Sequence, residues 1–394
     1  MNGAVKCEPG TEEQGIKREL SQDSLEDEDP EKRDDEKKKK EEQHFERVVN
    51  AFRFYPDHYL GQCNARYRFI QKMPLNYRER LKKYLAHLEN IKNGIQQNAC
   101  IMKLFIEEVR DMFENVDYNN QNFAMKEVRP TRLDMDKTAS VMRQVVREWT
   151  KEGAEERRQS FGLIIKDVER YFGLQNPTVE TRKNINILVP GAGLGRLSYE
   201  LAMRGFSTQG NEHSLFMLFP SNFILNCCLG KNYQFYPFVH QVNNVLDSET
   251  QLRKLTFPDI IPSNIPEGVN FSMAAGNFVE VYATQEYRNY FDCVCTCFFI
   301  DTAPNVLEYL DVLGKTLKPN GIWINLGPLL YHFAEIPGEG SIEPCYDHLK
   351  ELIDSFGFDF VEEKKDMPCN YTQNSHSMLS YLYKCVYFIC RKRE

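Results

Sequence analysis

The segment Asn184–Arg196, reading NINILVPGAGLGR, constrains the fold more than any other stretch. Its apolar run from Ile185 to Val189, interrupted only by Asn186, reads as a buried strand. Gly191, Gly193 and Gly195 follow at alternate positions, and Leu197, Leu201 and Ala202 then recur at helical spacing. Strand, glycine turn and helix in that order open a nucleotide-binding α/β unit. Such a turn needs backbone angles that a Cβ forbids, and a ligand approaches the main chain closely only where no side chain stands. The helix that follows directs unpaired N–H groups back at the turn. The dinucleotide fingerprint GxGxxG is not met, because Arg196 stands where the third glycine would, and there is no GxxxxGK[ST] phosphate loop. Phe206–Gly210 reads as a second strand that ends at Asn211–Glu212. A carboxylate there is placed to accept hydrogen bonds from two ribose hydroxyls. These features favour a nucleoside ligand over a diphosphate, and S-adenosylmethionine is the common ligand of that kind.

Strands and helices then alternate. Asn270–Phe278 reads as the third strand, and Phe291–Ile300 as a fully buried fourth that ends at Asp301. Val306–Leu317 reads as a helix stopped by the KPNG of Lys318–Gly321, with Ile322–Leu326 as the fifth strand. Tyr346–Phe356 is the last predicted helix, and Phe358–Glu363 with Tyr381–Arg391 form a closing pair of strands. Between the second and third strands lie an apolar helix, Leu215–Leu229, and a long aromatic stretch, Lys231–Asn270, expected to pack over the ligand pocket. Upstream, helical periodicity over His44–Val116 and Ser140–Tyr171 flanks a polar, loop-like Asp117–Thr131 and predicts a helical subdomain. Residues 1–43 are charged, almost free of large hydrophobes and expected to be disordered, with Lys37–Lys40 part of a solvated tail. The domain plan is therefore a tail over 1–43, a helical region over 44–178 and an α/β domain over 179–394 with an insertion at about 213–270.

The net charge of −8 gives no overall basic field suited to nucleic acid. Of the 12 cysteines, Cys293, Cys295 and Cys297 alternate along one apolar strand and Cys227 adjoins Cys228 in an apolar helix, so they read as small hydrophobes in a reducing compartment. No CxxC pair occurs, and no metal is expected. The N-terminus lacks an apolar signal core, and no run reaches the roughly 18 apolar residues of a membrane span. The expected location is the cytosol, with the nucleus as a further one.

The order of these elements resembles a class I methyltransferase. The blocks LVPGAGLGRL, GNEHS, CFFIDTAPN and INLGPLLYHF together resemble the carnosine N-methyltransferase family, over roughly residues 44–393. The resemblance implies a Rossmann-like α/β fold: a seven-stranded, mostly parallel sheet with an N-terminal helical subdomain and a long insertion after the second strand. It implies methyl transfer from S-adenosylmethionine to an imidazole nitrogen of carnosine (β-alanyl-L-histidine), giving anserine and S-adenosylhomocysteine. By the same resemblance Gly191, Gly193 and Gly195 line the methionine part of the cofactor, Glu212 holds the ribose hydroxyls, and Asn277 and Phe278 meet the adenine. Gln144 and Arg147 would be upstream cofactor contacts, Arg147 suiting the methionine carboxylate, and Cys297 would touch the cofactor through its backbone. Asp301, His332 and Tyr383 would contact the dipeptide. At 277 this chain has Asn where the family's pattern has Asp; an Asn carbonyl can still accept from the adenine amino group. Without the resemblance, Gln144 and Arg147 fit a solvated helix face, and Cys297 and Tyr383 fit core packing. The implied partner is a small dipeptide, with no nucleic acid and no membrane, and a homodimer is compatible with the sequence.

Imidazole has a pKa near about 6.5, so much of the acceptor is neutral at cellular pH and strong base catalysis is not needed. Orientation and exclusion of water should contribute most. A carboxylate beside the second ring N–H would fix the tautomer and stabilise the cation formed on methylation. Asp301 is expected in that role, with His332 orienting the ring or moving its proton and Tyr383 positioning the dipeptide. Three alternatives stand beside this reading. One is an enzyme acting on histidine in other dipeptides, peptides or proteins; another is a catalytically silent protein that keeps the cofactor fold. The third, a nicotinamide oxidoreductase, lacks the expected glycine spacing.

Overall fold

The apolar run around Ile187 becomes the centre of a sheet. In a computed structural model of the chain, which describes residues 30–107, 109, 128–173, 178–262, 265–336, 338 and 340–394, nine strands form. They are β1 (Asn186–Pro190), β2 (Ser207–Glu212), β3 (Tyr233–Phe235), β4 (Leu255–Phe257), β5 (Phe271–Ala275), β6 (Phe291–Cys297), β7 (Leu317–Gly327), β8 (Phe358–Cys369) and β9 (Tyr383–Lys392). Seven of them make one sheet in the order β5-β2-β1-β6-β7-β9-β8, while β3 and β4 pair as a separate antiparallel ribbon. Every pairing in the large sheet is parallel except those of β9, which runs antiparallel to both β7 and β8. This is the class I methyltransferase arrangement. The strand order reverses between β1 and β6, and an open α/β sheet leaves its ligand crevice at the carboxyl ends of the strands flanking such a point.

Helices cover both faces. On one side, Phe161, Ile164 and Val168 from α7 (Phe161–Phe172) and Leu197 and Leu201 from α9 (Arg196–Met203) pack on Ile187, Cys293, Cys295 and Ile324. On the other, Leu310 and Leu313 from α13 (Val306–Thr316) and Leu349 and Ile353 from α14 (Tyr346–Ser355) pack on Leu188, Val294 and Trp323. The helices in chain order are α1 (Pro30–Arg53), α2 (Tyr55–Gln71), α3 (Leu75–Arg80), α4 (Lys82–Phe105), α5 (Arg132–Trp149), α6 (Ala154–Gln159), α7 (Phe161–Phe172), α8 (Val179–Arg182), α9 (Arg196–Met203), α10 (Leu215–Asn222), α11 (Ser248–Gln251), α12 (Phe278–Tyr282), α13 (Val306–Thr316) and α14 (Tyr346–Ser355). β6 is buried along nearly its whole length, and its cysteines serve as small core residues.

The chain divides after His44 into two units, the second being Phe45–Glu394. The tail expected to be disordered over 1–43 is helical from Pro30 onward, and residues 1–29 lie outside the described residues. Composition signalled low hydrophobicity, but Lys, Glu and Arg are also good helix formers whose opposite charges pair at helical spacing. Part of the predicted 44–116 helical stretch and most of the 117–131 loop also lie outside the described residues.

Within the second unit, no residue of the Lys231–Asn270 stretch lines the cavity at the strand ends, and the insertion packs instead against the upstream helices. Phe216 and Phe219 of α10 pack against Phe52, and Asn98 of α4 bonds both the N–H and the carbonyl of Tyr236. The insertion thus completes a core shared with α2, α4 and α5. The predicted single helix over 215–229 is instead α10 followed by a π turn over Phe223–Cys227. The predicted helix before KPNG does end there, α13 closing at Thr316, but KPNG itself belongs to β7, which starts at Leu317 and not at Ile322, with Asn320 at φ +63°.

Candidate active site

The carboxyl ends of β1, β2 and β6 open into a cavity of about 520 Å³. Gly191 and Gly193 line it at φ +65° and +58°, a left-handed conformation that favours glycine. A Cβ on Gly191 would lie 2.5 Å from Phe299 Cδ2, and one on Gly193 2.6 Å from Glu148 Oε1. The glycines therefore let the turn tuck against its own neighbours as well as face a ligand. Gly195, expected beside the methionine part, does not line the cavity; at φ +80° it starts α9 and faces Leu225 and Met273.

Two carboxylates hold this turn. Glu212, at the end of β2, accepts from Gly193 N at 2.9 Å and from His213 N and Ser214 N at 2.8 Å each. Burial raises its pKa, and those three N–H groups pull the other way. A carboxylate offers about four lone-pair positions, so roughly one stays open towards the cavity. Glu148, at the end of α5, is 1% exposed and accepts from Leu194 N and Arg196 N at 3.2 Å. Burial raises its pKa too, opposed chiefly by Arg147. Arg196, the residue in place of the third fingerprint glycine, is a brace. It donates to Glu148 O at 2.7 Å and Asp259 Oδ1 at 2.6 Å, and it lies over the Trp149 ring.

Gln144 and Arg147 both face the cavity from α5, with Lys137 and Glu148 beside them. Arg147 is 5% exposed and sandwiched by aromatic faces, 4.6 Å from the Phe161 ring centre and 4.7 Å from that of Tyr371. Its nearest carboxylate oxygens are Glu148 Oε1 at 3.6 Å and Glu156 Oε2 at 3.9 Å, and its buried Nε has no hydrogen-bond acceptor. Gln144 donates to Tyr371 Oη at 2.7 Å and leaves a buried Oε1 unsatisfied. Both side chains line the cavity, where a guanidinium and a carboxamide are suited to a polar ligand. Cys297 lines the same wall with its sulfur 4.0 Å from Arg147 Nη2, and burial pushes its thiol pKa up to about 12. Asn277 and Phe278 also line the cavity. Asn277 Oδ1 accepts from Val279 N at 2.9 Å and Glu280 N at 3.4 Å, capping α12. Both of its lone pairs are engaged, so towards a ligand this side chain offers its NH₂ as a donor and not the acceptor expected from sequence.

His332 lines the cavity after β7, and its backbone N–H donates to Asp301 O at 3.0 Å. Asp301, expected to contact the dipeptide, lines neither this cavity nor the one beside Tyr383: it is 3% exposed, with Oδ2 accepting from Leu330 N at 2.8 Å. Burial raises its pKa, while Leu330 N–H and His332 act against the shift. Tyr383 lies on a second cavity of about 730 Å³, walled by α2, α5, the 237–244 segment and the 371–383 segment. Tyr371 belongs to both cavities. Between them stands Phe298, 4.6 Å from the Tyr371 ring centre and 5.7 Å from that of Tyr383. Phe298 has φ +55°, a left-handed conformation rare for a bulky side chain, and its N–H donates to Leu326 O at 2.8 Å.

Three residues of this site escape a reading of the sequence. Glu148 lies at the end of an amphipathic helix, where a carboxylate signals nothing. Tyr371 sits in NYTQNSHS, which has no periodicity, and Phe298 in a run of apolar residues whose backbone conformation no pattern encodes.

The carnosine N-methyltransferase family model matches residues 124–394 of the chain. A Mus musculus protein named carnosine N-methyltransferase is 43% identical over 356 residues, 89% of this chain and 86% of its own length. Its Drosophila melanogaster counterpart, named carnosine N-methyltransferase unmet, is 38% identical over 373 residues, 89% of this chain and 80% of its own. A Schizosaccharomyces pombe carnosine N-methyltransferase is 34% identical over 364 residues, 88% of this chain and 95% of its own.

Proposed function

We propose the following chemistry for a chain that belongs to the carnosine N-methyltransferase family. It transfers the methyl group of S-adenosylmethionine to carnosine, with an imidazole nitrogen as acceptor and anserine as product. When bound, S-adenosylmethionine supplies an electrophilic methyl group. Arg147 and Gln144, which both line the cavity, would bind its methionine carboxylate and amine. Glu212 would accept from one ribose hydroxyl through its open position. Asn277 would donate through its NH₂ to an adenine ring nitrogen, beside the ring of Phe278.

The acceptor ring would lie near the aromatic pair of Phe298 and Tyr371, the second of which lines both cavities. His332 would orient it, and Asp301 would accept the N–H on the nitrogen that is not methylated. That contact fixes the tautomer with the attacking lone pair facing the methyl donor, and it opposes the positive charge that develops on the ring. Neutral imidazole needs no deprotonation before attack. Tyr383, on the second cavity, would position the dipeptide.

The observation that carries this reading is the gathering of Gln144, Arg147, Gly191, Gly193, Glu212, Asn277 and His332 around one cavity at the strand-order reversal. The test is mass spectrometry of the purified chain incubated with carnosine and methyl-labelled S-adenosylmethionine. Labelled anserine is expected. Labelling of histidine in proteins with none in carnosine would overturn the reading.

A further inference from the structure

The helix α5 faces two ligand spaces. Lys137, Gln144, Arg147 and Glu148 look into the cofactor cavity, whereas Asp136, Ser140 and Arg143 look into the second one. One residue along a helix turns the side chain by about 100°. Arg143 and Gln144 can therefore sit on adjoining walls of neighbouring cavities.

Arg143 is half-buried on that wall, and its Nη2 donates to Ser140 Oγ at 2.8 Å. Among the described residues no carboxylate makes an ion pair with it. A guanidinium carries five N–H donors in a planar fork, and a single neutral hydroxyl leaves most of that fork open. Burial works against its charge, and Tyr59 and Asp136 are the neighbours acting the other way. The remaining lining places Tyr371 and Tyr383 in the same space, the first shared with the cofactor cavity.

We propose that Arg143 receives the α-carboxylate of the dipeptide's histidine residue and so makes a free carboxylate beside the histidine a condition for efficient methylation. This inference rests on the methyltransferase reading above and deepens it. A guanidinium fork and a carboxylate form two parallel hydrogen bonds, which fix orientation as well as position. A histidine within a protein chain presents an amide at that place, so the same contact selects against it.

The test is steady-state kinetics of the full chain with two acceptors: carnosine, and β-alanylhistamine, which has the same imidazole and no carboxylate. Wild type should lose about 10- to 100-fold in kcat/KM on passing from carnosine to β-alanylhistamine, chiefly through KM. Arg143→Met should lose the same factor on carnosine and little on β-alanylhistamine, erasing the preference, and Arg143→Lys should restore part of it. Unchanged affinity for S-adenosylhomocysteine in both variants reports an intact fold. Equal use of the two acceptors by wild type, or an equal rise in KM for both in Arg143→Met, would overturn the proposal. Wild type inert towards every imidazole acceptor would strike down the methyltransferase reading itself, and this one with it.

Discussion

Replacing Gly193 by Ala tests how the cofactor turn is built. The residue sits at φ +58°, and its new Cβ would fall 2.6 Å from Glu148 Oε1. An L residue in the left-handed region costs about 1–2 kcal/mol. The methyl group fits only if Glu148 or the turn moves. Glu148 holds the N–H groups of Leu194 and Arg196, both at 3.2 Å. Loss of one such charge-assisted bond costs about 1.5–3 kcal/mol. The variant should therefore lose about 2.5–5 kcal/mol, a large share of a typical domain's stability. Gly357→Ala separates the two contributions, because Gly357 has φ +86° with open space around its Cβ direction. That substitution should cost only the backbone strain, about 1–2 kcal/mol. Urea unfolding with an unchanged m-value measures both, and calorimetry with S-adenosylhomocysteine reports the turn's ability to bind. If Gly193→Ala proves no less stable than Gly357→Ala, the contact with Glu148 does not constrain the turn and the argument is wrong.

Asp301→Asn keeps an acceptor for Leu330 N–H and removes the charge; methyl transfer to carnosine in single turnover should fall about 10²–10³-fold with S-adenosylhomocysteine binding unchanged. A rate close to wild type would remove Asp301 from the mechanism. Arg147→Lys keeps the charge but loses the planar stacking on Phe161 and Tyr371, so S-adenosylmethionine affinity should drop about 10-fold or more by calorimetry. His240, whose Nε2 meets Tyr55 Oη at 2.5 Å, is pushed down to about 3 by burial. It stays neutral in the folded chain and gains a proton on unfolding below about pH 6.5. Its contribution is therefore full above about pH 6.5 and is lost as pH falls from there towards 3, by up to about 1.4 kcal/mol per pH unit. Urea unfolding between about pH 7 and 5 should show a shallower slope in His240→Gln than in wild type, and equal slopes would contradict the assignment.

Periodicity made the sheet legible, because β1, β6 and β7 carry their burial in their composition. Val294 and Trp323 could hardly stand anywhere but inside. The glycine turn and Glu212 were legible for a different reason: positive φ and a carboxylate at a strand end leave a spacing signature. What stayed hidden depends on contacts distant in sequence. Glu148 acquires its role from Leu194, 46 residues away, and Tyr371 from Gln144, 227 residues away. Asn277 illustrates a subtler limit. Its residue type allowed either an acceptor or a donor towards adenine, and only the capping of α12 decides between them. Lysine- and glutamate-rich composition likewise hid the helix beginning at Pro30, since solvation and helix propensity favour the same residues.

The Rossmann-like unit alone does not make this site. Within two turns, α5 sends Arg143 to the second cavity, Gln144 and Arg147 to the first, and Glu148 to the glycine turn between β1 and α9. Side chains three and four apart share a helix face, and a one-residue step opens the adjoining face, so one rigid rod can set the distance between two ligand spaces. The end of that rod is fixed from outside: Arg157 bonds the carbonyls of Arg147 and Thr150 at 2.8 Å and Asp259 Oδ2 at 2.7 Å, and Arg196 grips the other oxygen of Asp259. Glu156 then accepts from the N–H groups of Thr372 and Gln373, next to Tyr371, at 3.0 and 2.8 Å. The helical region, the insertion and the closing strands thus meet at one joint. Movement of α5 would shift the groups of both cavities together, which explains why a helix upstream of the nucleotide-binding unit carries so many of the polar side chains that face them.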